Sequence, residues 1–345
     1  MGLVPEWRRR KSDAFDLAGN STAGRTIELD LWGRPVSIYA NANFSVYSAQ
    51  TCNARCRFCV EELRPASRGR ALAQQRTIEP DDDRYFAALE RSLDVLRPLA
   101  PTISITGGEP SKDPRLPRII GLCSRFPSKR RSLTTNGSGL LDIHDGARII
   151  EHIVAGEIEH LNISRAHPDH EHNARLMVFR EGLSLEQLRE VVNLASAGAC
   201  RVRLSCVLVE RAIDSLAGIR SYLEFAESLG VDNVIFRQLM HVDRQSVVEN
   251  FVVGFSDRRR TRLEPLLDQI SEHPEFSFQK QIVGYYYYVE VWRWRGIDVV
   301  FEEADLAALE RTKQTMPGVV HELIFHPNAR LATTWQPWDG VLGPP

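Results

Sequence analysis

The chain has 345 residues, 43% of them hydrophobic and 26% charged, and its formal net charge is −2. This composition is typical of a globular protein with one large domain, or one domain with an appendage. The near-neutral charge argues against nucleic acid as a partner. No apolar run reaches the roughly 20 residues of a membrane helix. The basic stretch within residues 1–11 lacks the apolar segment of a secretory signal and is expected to be a solvated arm. We therefore expect a cytoplasmic protein with no membrane partner.

The predicted elements begin with strand-like segments in residues 1–45, TIELDLWG and PVSIYANANF, which lead into a cysteine-rich stretch. From there to residue 240, β-branched runs alternate with amphipathic segments. Strands are predicted over 102–106, 131–135, 160–164, 201–209 and 233–240, and helices around 86–96, 185–197 and 215–229. This alternation is typical of a parallel sheet with right-handed crossovers. Counting the strand before Cys52 there are six units, too few for a closed eight-stranded barrel. We therefore predict an α/β fold in which residues 46–240 form a partial (β/α)6 TIM-like barrel, with its working face at the carboxyl ends of the strands.

The alternation of predicted strands and helices ends after residue 240. The segment GYYYYVEVWRWRGIDVVFEEAD predicts a hairpin that turns at Arg295-Gly296, and ELIFHPNARLATTW predicts two strands around His326-Pro327-Asn328. Residues 1–45 are thus expected to be an N-terminal strand and arm. Residues 241–345 are expected to be a small α+β appendage that covers the substrate on the open side of the barrel.

Three of the six cysteines fall within eight positions, as Cys52-x-x-x-Cys56-x-x-Cys59. Structural zinc usually takes two separated pairs of ligands, and no second pair exists here. A redox pair of Cys56 and Cys59 would leave Cys52 unexplained. Three thiolates on a four-iron cluster would leave one iron open to a substrate or cofactor. A cluster is therefore favoured over another metal or redox site.

The cysteine spacing and a second short motif resemble those of a known enzyme family. The cysteine spacing resembles the signature of the radical S-adenosylmethionine (SAM) enzymes, and ITGGEP, from Ile105 to Pro110, resembles their Gly-Gly-Glu-Pro segment. The resemblance extends over most of residues 45–240 and is closest to the branch of the molybdenum-cofactor GTP cyclase. It implies a 4Fe-4S cluster on Cys52, Cys56 and Cys59 whose open iron chelates SAM. One electron, from a reducing partner such as flavodoxin or ferredoxin, would then cleave SAM to a 5′-deoxyadenosyl radical that abstracts hydrogen from substrate.

The same resemblance implies individual roles. Its predicted SAM contacts are Phe58 beside the adenine, Gly107, Gly108, Glu109 for the amino group, Asn136, Ser164 and Met240. Thr135 and Arg203 fall where the cyclase contacts its substrate. Ordinary roles are the alternative: Phe58 and Met240 as core residues, and Asn136 as a turn cap.

The chain departs from the cyclase at its C-terminal end. The cyclase carries three further cysteines there for a second cluster, whereas no cysteine follows Cys206 in this chain. We therefore expect one 4Fe-4S cluster only and no GTP cyclisation.

Two features leave several interpretations open. His167, His170 and His172 could bind metal, contact a polar substrate or lie in a solvated loop. The aromatic run from Tyr285 to Trp294 could form a wall for a ring-bearing substrate, or could be a strand packed on the barrel.

The function expected first is radical chemistry on a small-molecule substrate, a sugar, nucleoside or amino-acid-derived intermediate. The alternatives are modification of a peptide and, from another class, a regulatory protein that keeps a cluster without catalysis. The ~45 residues before the cluster loop are short for a leader-binding domain, which disfavours the peptide.

Overall fold

The computed structural model describes residues 26–49, 51–64, 77–179, 181–240 and 247–343. The predicted basic arm within residues 1–11 lies outside the described residues. So do the first part of the predicted N-terminal segment and residues 241–246 at the start of the predicted appendage.

The described residues contain 17 strands and nine α-helices. The strands are β1 (Thr26–Asp30), β2 (Pro35–Tyr39), β3 (Asn43–Tyr47), β4 (Thr102–Thr106), β5 (Arg130–Thr135), β6 (Ile143–His144), β7 (Ala147–Arg148), β8 (His160–Ser164), β9 (Arg201–Leu208), β10 (Asn233–Gln238), β11 (Phe276–Val283), β12 (Tyr287–Trp294), β13 (Ile297–Ala304), β14 (Val319–Val320), β15 (Leu323–Phe325), β16 (Leu331–Ala332) and β17 (Val341–Leu342). The helices are α1 (Asp82–Val95), α2 (Leu116–Cys123), α3 (Ile149–Ala155), α4 (His170–Met177), α5 (Leu185–Ala197), α6 (Leu216–Ser228), α7 (Phe251–Arg259), α8 (Leu263–Glu272) and α9 (Leu306–Thr315). Each predicted strand and helix of the barrel is present, with ends that shift by a few residues at most.

The helices begin and end where local chemistry directs. The Asp81 carboxylate accepts hydrogen bonds from the backbone N–H groups of Asp83 and Arg84 at the start of α1, and Ser184 forms a capping box with Gln187 at the start of α5. Gly230 follows α6 with a φ of 76°, a left-handed conformation that glycine adopts without strain.

The central sheet confirms the predicted partial barrel. The strands β3, β4, β5, β8, β9 and β10 are neighbours in that order, and each pair is parallel. The sheet then continues in parallel on both sides, with β13 beside β10 and β15 beside β3. The antiparallel strands β11–β12 and β16–β17 complete its two edges. The C-terminal strands therefore extend the barrel sheet at both edges.

Both predicted C-terminal hairpins are present. Trp294 pairs with Ile297 across the Arg295-Gly296 turn that joins β12 to β13. Phe325 pairs with Leu331 where β15 turns back into β16. No helix among the described residues is long and apolar enough to span a membrane.

Residues alternate between two very different faces along the barrel strands. One face carries the apolar core that packs against the helices, with Phe44, Ile103, Leu133 and Leu161 all less than 2% exposed. The other face lines the barrel interior and is polar. Across four neighbouring strands it presents one row in hydrogen-bonded register, Ser45, Ser104, Ser132 and His160. Because strands buried on both faces are normally apolar throughout, the polar row indicates an interior space and not a second core.

Candidate active site

The cysteine loop lies at the carboxyl end of β3. The three thiols, Cys52, Cys56 and Cys59, line one cavity of about 370 Å³. The loop is tied to the end of α4 because the Arg55 and Arg57 amides donate to the carbonyl groups of Met177 and Leu176, each at 3.2 Å. The predicted placement of the cysteines at the working face of the barrel therefore agrees with the structure.

The thiol environment is compatible with a cluster. Burial raises the pKa of Cys59 to about 12 and raises that of Cys56 as well, with the charges of Cys59 and Cys52 acting in the same direction. Grouped thiolates here would need a positive partner. Within the described part of the chain, no three cysteine, histidine or acidic side chains converge as ligands of one ion. A cubane cluster binds each thiolate at a different iron, so its ligands surround a volume and need not meet at a point.

Gly107 and Gly108 allow the segment after β4 to approach the cysteine loop. The Gly108 amide donates to the Ala49 carbonyl at 3.1 Å, and the Glu109 amide donates to the Thr51 carbonyl at 3.0 Å. A Cβ atom at Gly108 would lie 2.0 Å from the Thr51 carbonyl oxygen, and one at Gly107 3.0 Å from the Ala49 nitrogen. The sequence suggested that these glycines admit a ligand. In the structure their small size first admits the backbone of the cysteine loop.

Glu109 joins the segment after β4 to the end of β5. Its side chain is 1% exposed. One carboxylate oxygen accepts from the Ser111 amide at 2.8 Å, from the Ser111 hydroxyl at 2.6 Å and from the Thr135 hydroxyl, and the other accepts from the Asn136 amide at 2.6 Å. Burial raises the pKa of this carboxyl above its ordinary value, while the four hydrogen bonds act in the opposite direction. The carboxylate thus already accepts four hydrogen bonds from the protein, which suits a positioning role.

Asn136 continues this connection to the cysteine loop. Its side-chain amide donates to the Asn53 side-chain oxygen at 2.9 Å and lies 3.9 Å from the Cys52 sulfur. Its own side-chain oxygen accepts from the Ser138 amide at 3.0 Å, which is the turn-capping contact that the sequence left as an alternative.

The predicted SAM contacts all line the cavity of the cysteines: Phe58, Gly107, Gly108, Glu109, Asn136, Ser164 and Met240. Phe58 also packs against two small apolar clusters, one with Met177 and one with Leu239. The lining of the cysteine cavity therefore combines apolar surface with a few polar groups, as small-molecule sites do.

A second cavity of about 420 Å³ fills the barrel interior next to the first. Arg203 lines it from β9, and its Nε donates to the Asn233 side-chain oxygen, while its contact with substrate stays a prediction. Thr135 does not line it. The neighbouring Thr134 lines both cavities, whereas Thr135 lines the cysteine cavity. The Thr135 hydroxyl donates to Glu109, and its contact with substrate stays a prediction.

Three residues that the sequence did not single out lie where the two cavities meet: Arg237, Glu302 and Trp335. The Arg237 guanidinium lies 2.9 Å from a Glu302 oxygen and donates to the Ser205 hydroxyl at 3.0 Å. The Trp335 indole N–H donates to Glu322 at 2.8 Å, and the Arg64 guanidinium stacks 3.7 Å from the Trp335 ring centroid. Together these contacts hold a charged pair and an aromatic ring at the junction.

The aromatic residues of the run from Tyr285 to Trp294 lie in two different environments. Tyr285, Tyr286 and Tyr287 line the barrel cavity, whereas Trp292 and Trp294 are buried in the core on the other face. The predicted histidines line neither cavity. The rings of His167 and His172 lie 4.1 Å apart, and His167 accepts a hydrogen bond from the Asp169 amide at the start of α4.

No protein-family model matches this chain, and neither does any curated protein. Among solved structures, it is similar to Streptococcus suis SuiB bound to its precursor peptide SuiA, with 16% identity, a TM-score of 0.48, and coverage of 68% of this chain and 46% of SuiB. The chain thus spans about half the length of SuiB. It is also similar to coproporphyrinogen III oxidase (HemN) from Escherichia coli, a radical SAM enzyme, with 14% identity, a TM-score of 0.38, and coverage of 73% and 67%. A third match is the radical SAM methyltransferase TsrM from Kitasatospora setae, with 15% identity, a TM-score of 0.40, and coverage of 70% and 42%.

Proposed function

We propose that this chain is a radical SAM enzyme that acts on a small molecule held inside its partial barrel. The observation that carries the proposal is the meeting of two loops in one cavity. The Cys52–Cys59 loop after β3 and the Gly107–Glu109 segment after β4 line the same space at the carboxyl ends of parallel strands. That cavity adjoins a second, polar one in the barrel interior, which is where a substrate would be held.

Cys52, Cys56 and Cys59 would hold a 4Fe-4S cluster, and the remaining lining groups would hold SAM against it. When bound, the cluster would supply the electron, delivered by a partner such as flavodoxin or ferredoxin, that cleaves SAM to a 5′-deoxyadenosyl radical. Phe58 and Met240 offer apolar surface to the adenosyl part, and the Ser164 hydroxyl offers a hydrogen bond.

The protein's own contribution is to fix these groups and to exclude water. Glu109 orients the Gly-Gly segment against the end of β5 through its four hydrogen bonds, and Thr135 acts by holding Glu109. Arg203 faces the substrate space, and Trp335 covers the junction between the two cavities. Preorganised groups of this kind direct a reactive species at one substrate atom.

The cluster assignment is tested by metal analysis after anaerobic reconstitution. Wild-type protein should contain about four irons and four sulfides per chain, and alanine at Cys52, Cys56 or Cys59 should each abolish that content. The matched control is Cys123→Ala, because Cys123 is a fully buried thiol on α2 outside both cavities. Zinc in place of iron, eight irons per chain, or full iron content in the Cys56→Ala variant would contradict the assignment.

A further inference from the structure

The barrel cavity carries more positive charge than its acidic groups neutralise. Its lining includes three arginines, Arg130, Arg203 and Arg237, and two acidic residues, Glu302 and Glu322. Glu302 pairs with Arg237 at 2.9 Å. Glu322 pairs with Lys313 at 2.9 Å, outside the cavity lining. Among the ion pairs formed between described residues, none involves the exposed Arg130 or the half-buried Arg203, so neither guanidinium has a direct acidic partner there.

Arg203 occupies the middle of this positive region. Its Nε is bound to Asn233, and its two Nη atoms bind no acceptor among the described residues. Burial and the nearby charges of Arg237 and Arg130 lower the pKa of Arg203 to about 10. Like charges brought together in a partly desolvated space are unfavourable until an anion enters. The cavity is therefore built to receive negative charge.

Neutral hydrogen-bonding groups surround the arginines. The buried Nδ1 atom of His160 and the Oδ1 atom of Asn162 have no partner among the described residues. The hydroxyl groups of Ser45, Ser104 and Ser132 line the same cavity and make no hydrogen bond to described residues. The serines thus offer a row of hydroxyl groups along the cavity, which suits a ligand that itself carries several hydroxyl groups.

We propose that the barrel cavity binds a small hydroxylated oxyanion, a carboxylate or phosphate monoester of about the size of a sugar. Arg203 and Arg130 take the anionic group, and the row of Ser45, Ser104 and Ser132 takes the hydroxyl groups. The other end of the molecule then faces Arg237 and the cysteine cavity. The volume of about 420 Å³ lies within the range of small-molecule sites. This inference rests on the proposed function, because it names the substrate class of the same site.

The test is anaerobic calorimetric titration of the reconstituted, SAM-loaded enzyme with D-glucose 6-phosphate, D-glucuronate and D-glucose. At least one charged sugar should bind about tenfold or more tightly than glucose, and the one that binds identifies phosphate or carboxylate as the preferred anion. Arg203→Gln should weaken that binding by about tenfold or more, because a hydrogen bond to a charged group is lost. Arg91→Gln, which removes the same charge from an exposed position on α1, should leave it unchanged.

Arg203→Lys guards against a folding defect, since it keeps the charge and should retain more affinity than the glutamine variant. The inference is overturned if neither charged sugar binds more tightly than glucose, or if Arg203→Gln binds the charged sugar as tightly as wild type does. Iron content and 5′-deoxyadenosine formation, measured on the same preparation, distinguish a failure of the substrate class from a failure of the proposed function. Loaded, SAM-cleaving enzyme without anion preference overturns the substrate class alone, whereas failure to bind iron or cleave SAM overturns the proposed function.

Discussion

Replacing Gly108 by alanine should displace the cysteine loop and prevent cluster assembly. The added Cβ would lie 2.0 Å from the Thr51 carbonyl oxygen and 2.9 Å from the Cys52 nitrogen. Both are backbone atoms, which cannot swing away as a side chain can. Separations below 3.0 Å are essentially never observed, so the two segments must part by about 1 Å.

The cost follows from this displacement. Overpacking costs about 1–3 kcal/mol. The two backbone hydrogen bonds that join the segments, Gly108 to Ala49 and Glu109 to Thr51, contribute about 0.5–1.5 kcal/mol each. We expect the free energy of unfolding to fall by about 2–6 kcal/mol and the iron content to fall to well below half of wild type.

The assay compares denaturant unfolding of the apo-protein with iron content after reconstitution. Gly121→Ala is the matched control, because Gly121 lies within α2 with no atom within 4 Å of its added Cβ, and it should load iron normally. Full iron content in Gly108→Ala would refute the reasoning that close backbone approach builds the cluster site.

Three further predictions concern the residues around the two cavities. Glu109→Gln should lower the free energy of unfolding by about 1.5–3 kcal/mol, because either orientation of its amide places an NH₂ group against a backbone N–H. Denaturant unfolding measures this change, with Glu90→Gln at an exposed position as the control. Unchanged stability would mean that the carboxylate serves the ligand alone. Burial and neighbouring arginines lower the pKa of His160 from 6.5 to about 4. The neutral ring therefore contributes stability above pH 6.5 that is lost as the pH falls through about 4, and the imidazole proton signals should titrate near pH 4; a midpoint near 6.5 would contradict this. Trp335→Ala should admit water at the junction and raise 5′-deoxyadenosine formation without substrate turnover. Trp338→Ala, at a partly exposed position that lines neither cavity, should not. The same ratio of 5′-deoxyadenosine formed to substrate consumed in both variants would contradict the covering role of Trp335.

The barrel strands could be predicted because their signal is local. Residues 102–106 form a β-branched run between proline and glycine, and β4 occupies the same residues. The sheet partners of the C-terminal strands could not be predicted in this way. Leu323–Phe325 pairs with β3, whose residues lie far earlier in the chain, and no local pattern encodes that pairing.

The same division between local and long-range signals applies to the site. Cys52, Cys56, Cys59 and the Gly-Gly-Glu-Pro segment are short motifs, so the sequence alone places them together. Arg237 and Glu302 come from different strands and meet only in the folded sheet. One signal was available, since serine and arginine at alternate positions of otherwise apolar parallel strands indicate a polar interior.

The central claim is that this chain cleaves SAM at the cavity of its cysteines, and product analysis tests it most directly. Reconstituted enzyme, SAM and a strong reductant should yield 5′-deoxyadenosine, and the yield should vanish in the Cys56→Ala variant while Cys123→Ala retains it. Absence of 5′-deoxyadenosine from iron-loaded, reduced wild-type enzyme, or an equal yield from Cys56→Ala, would contradict the account.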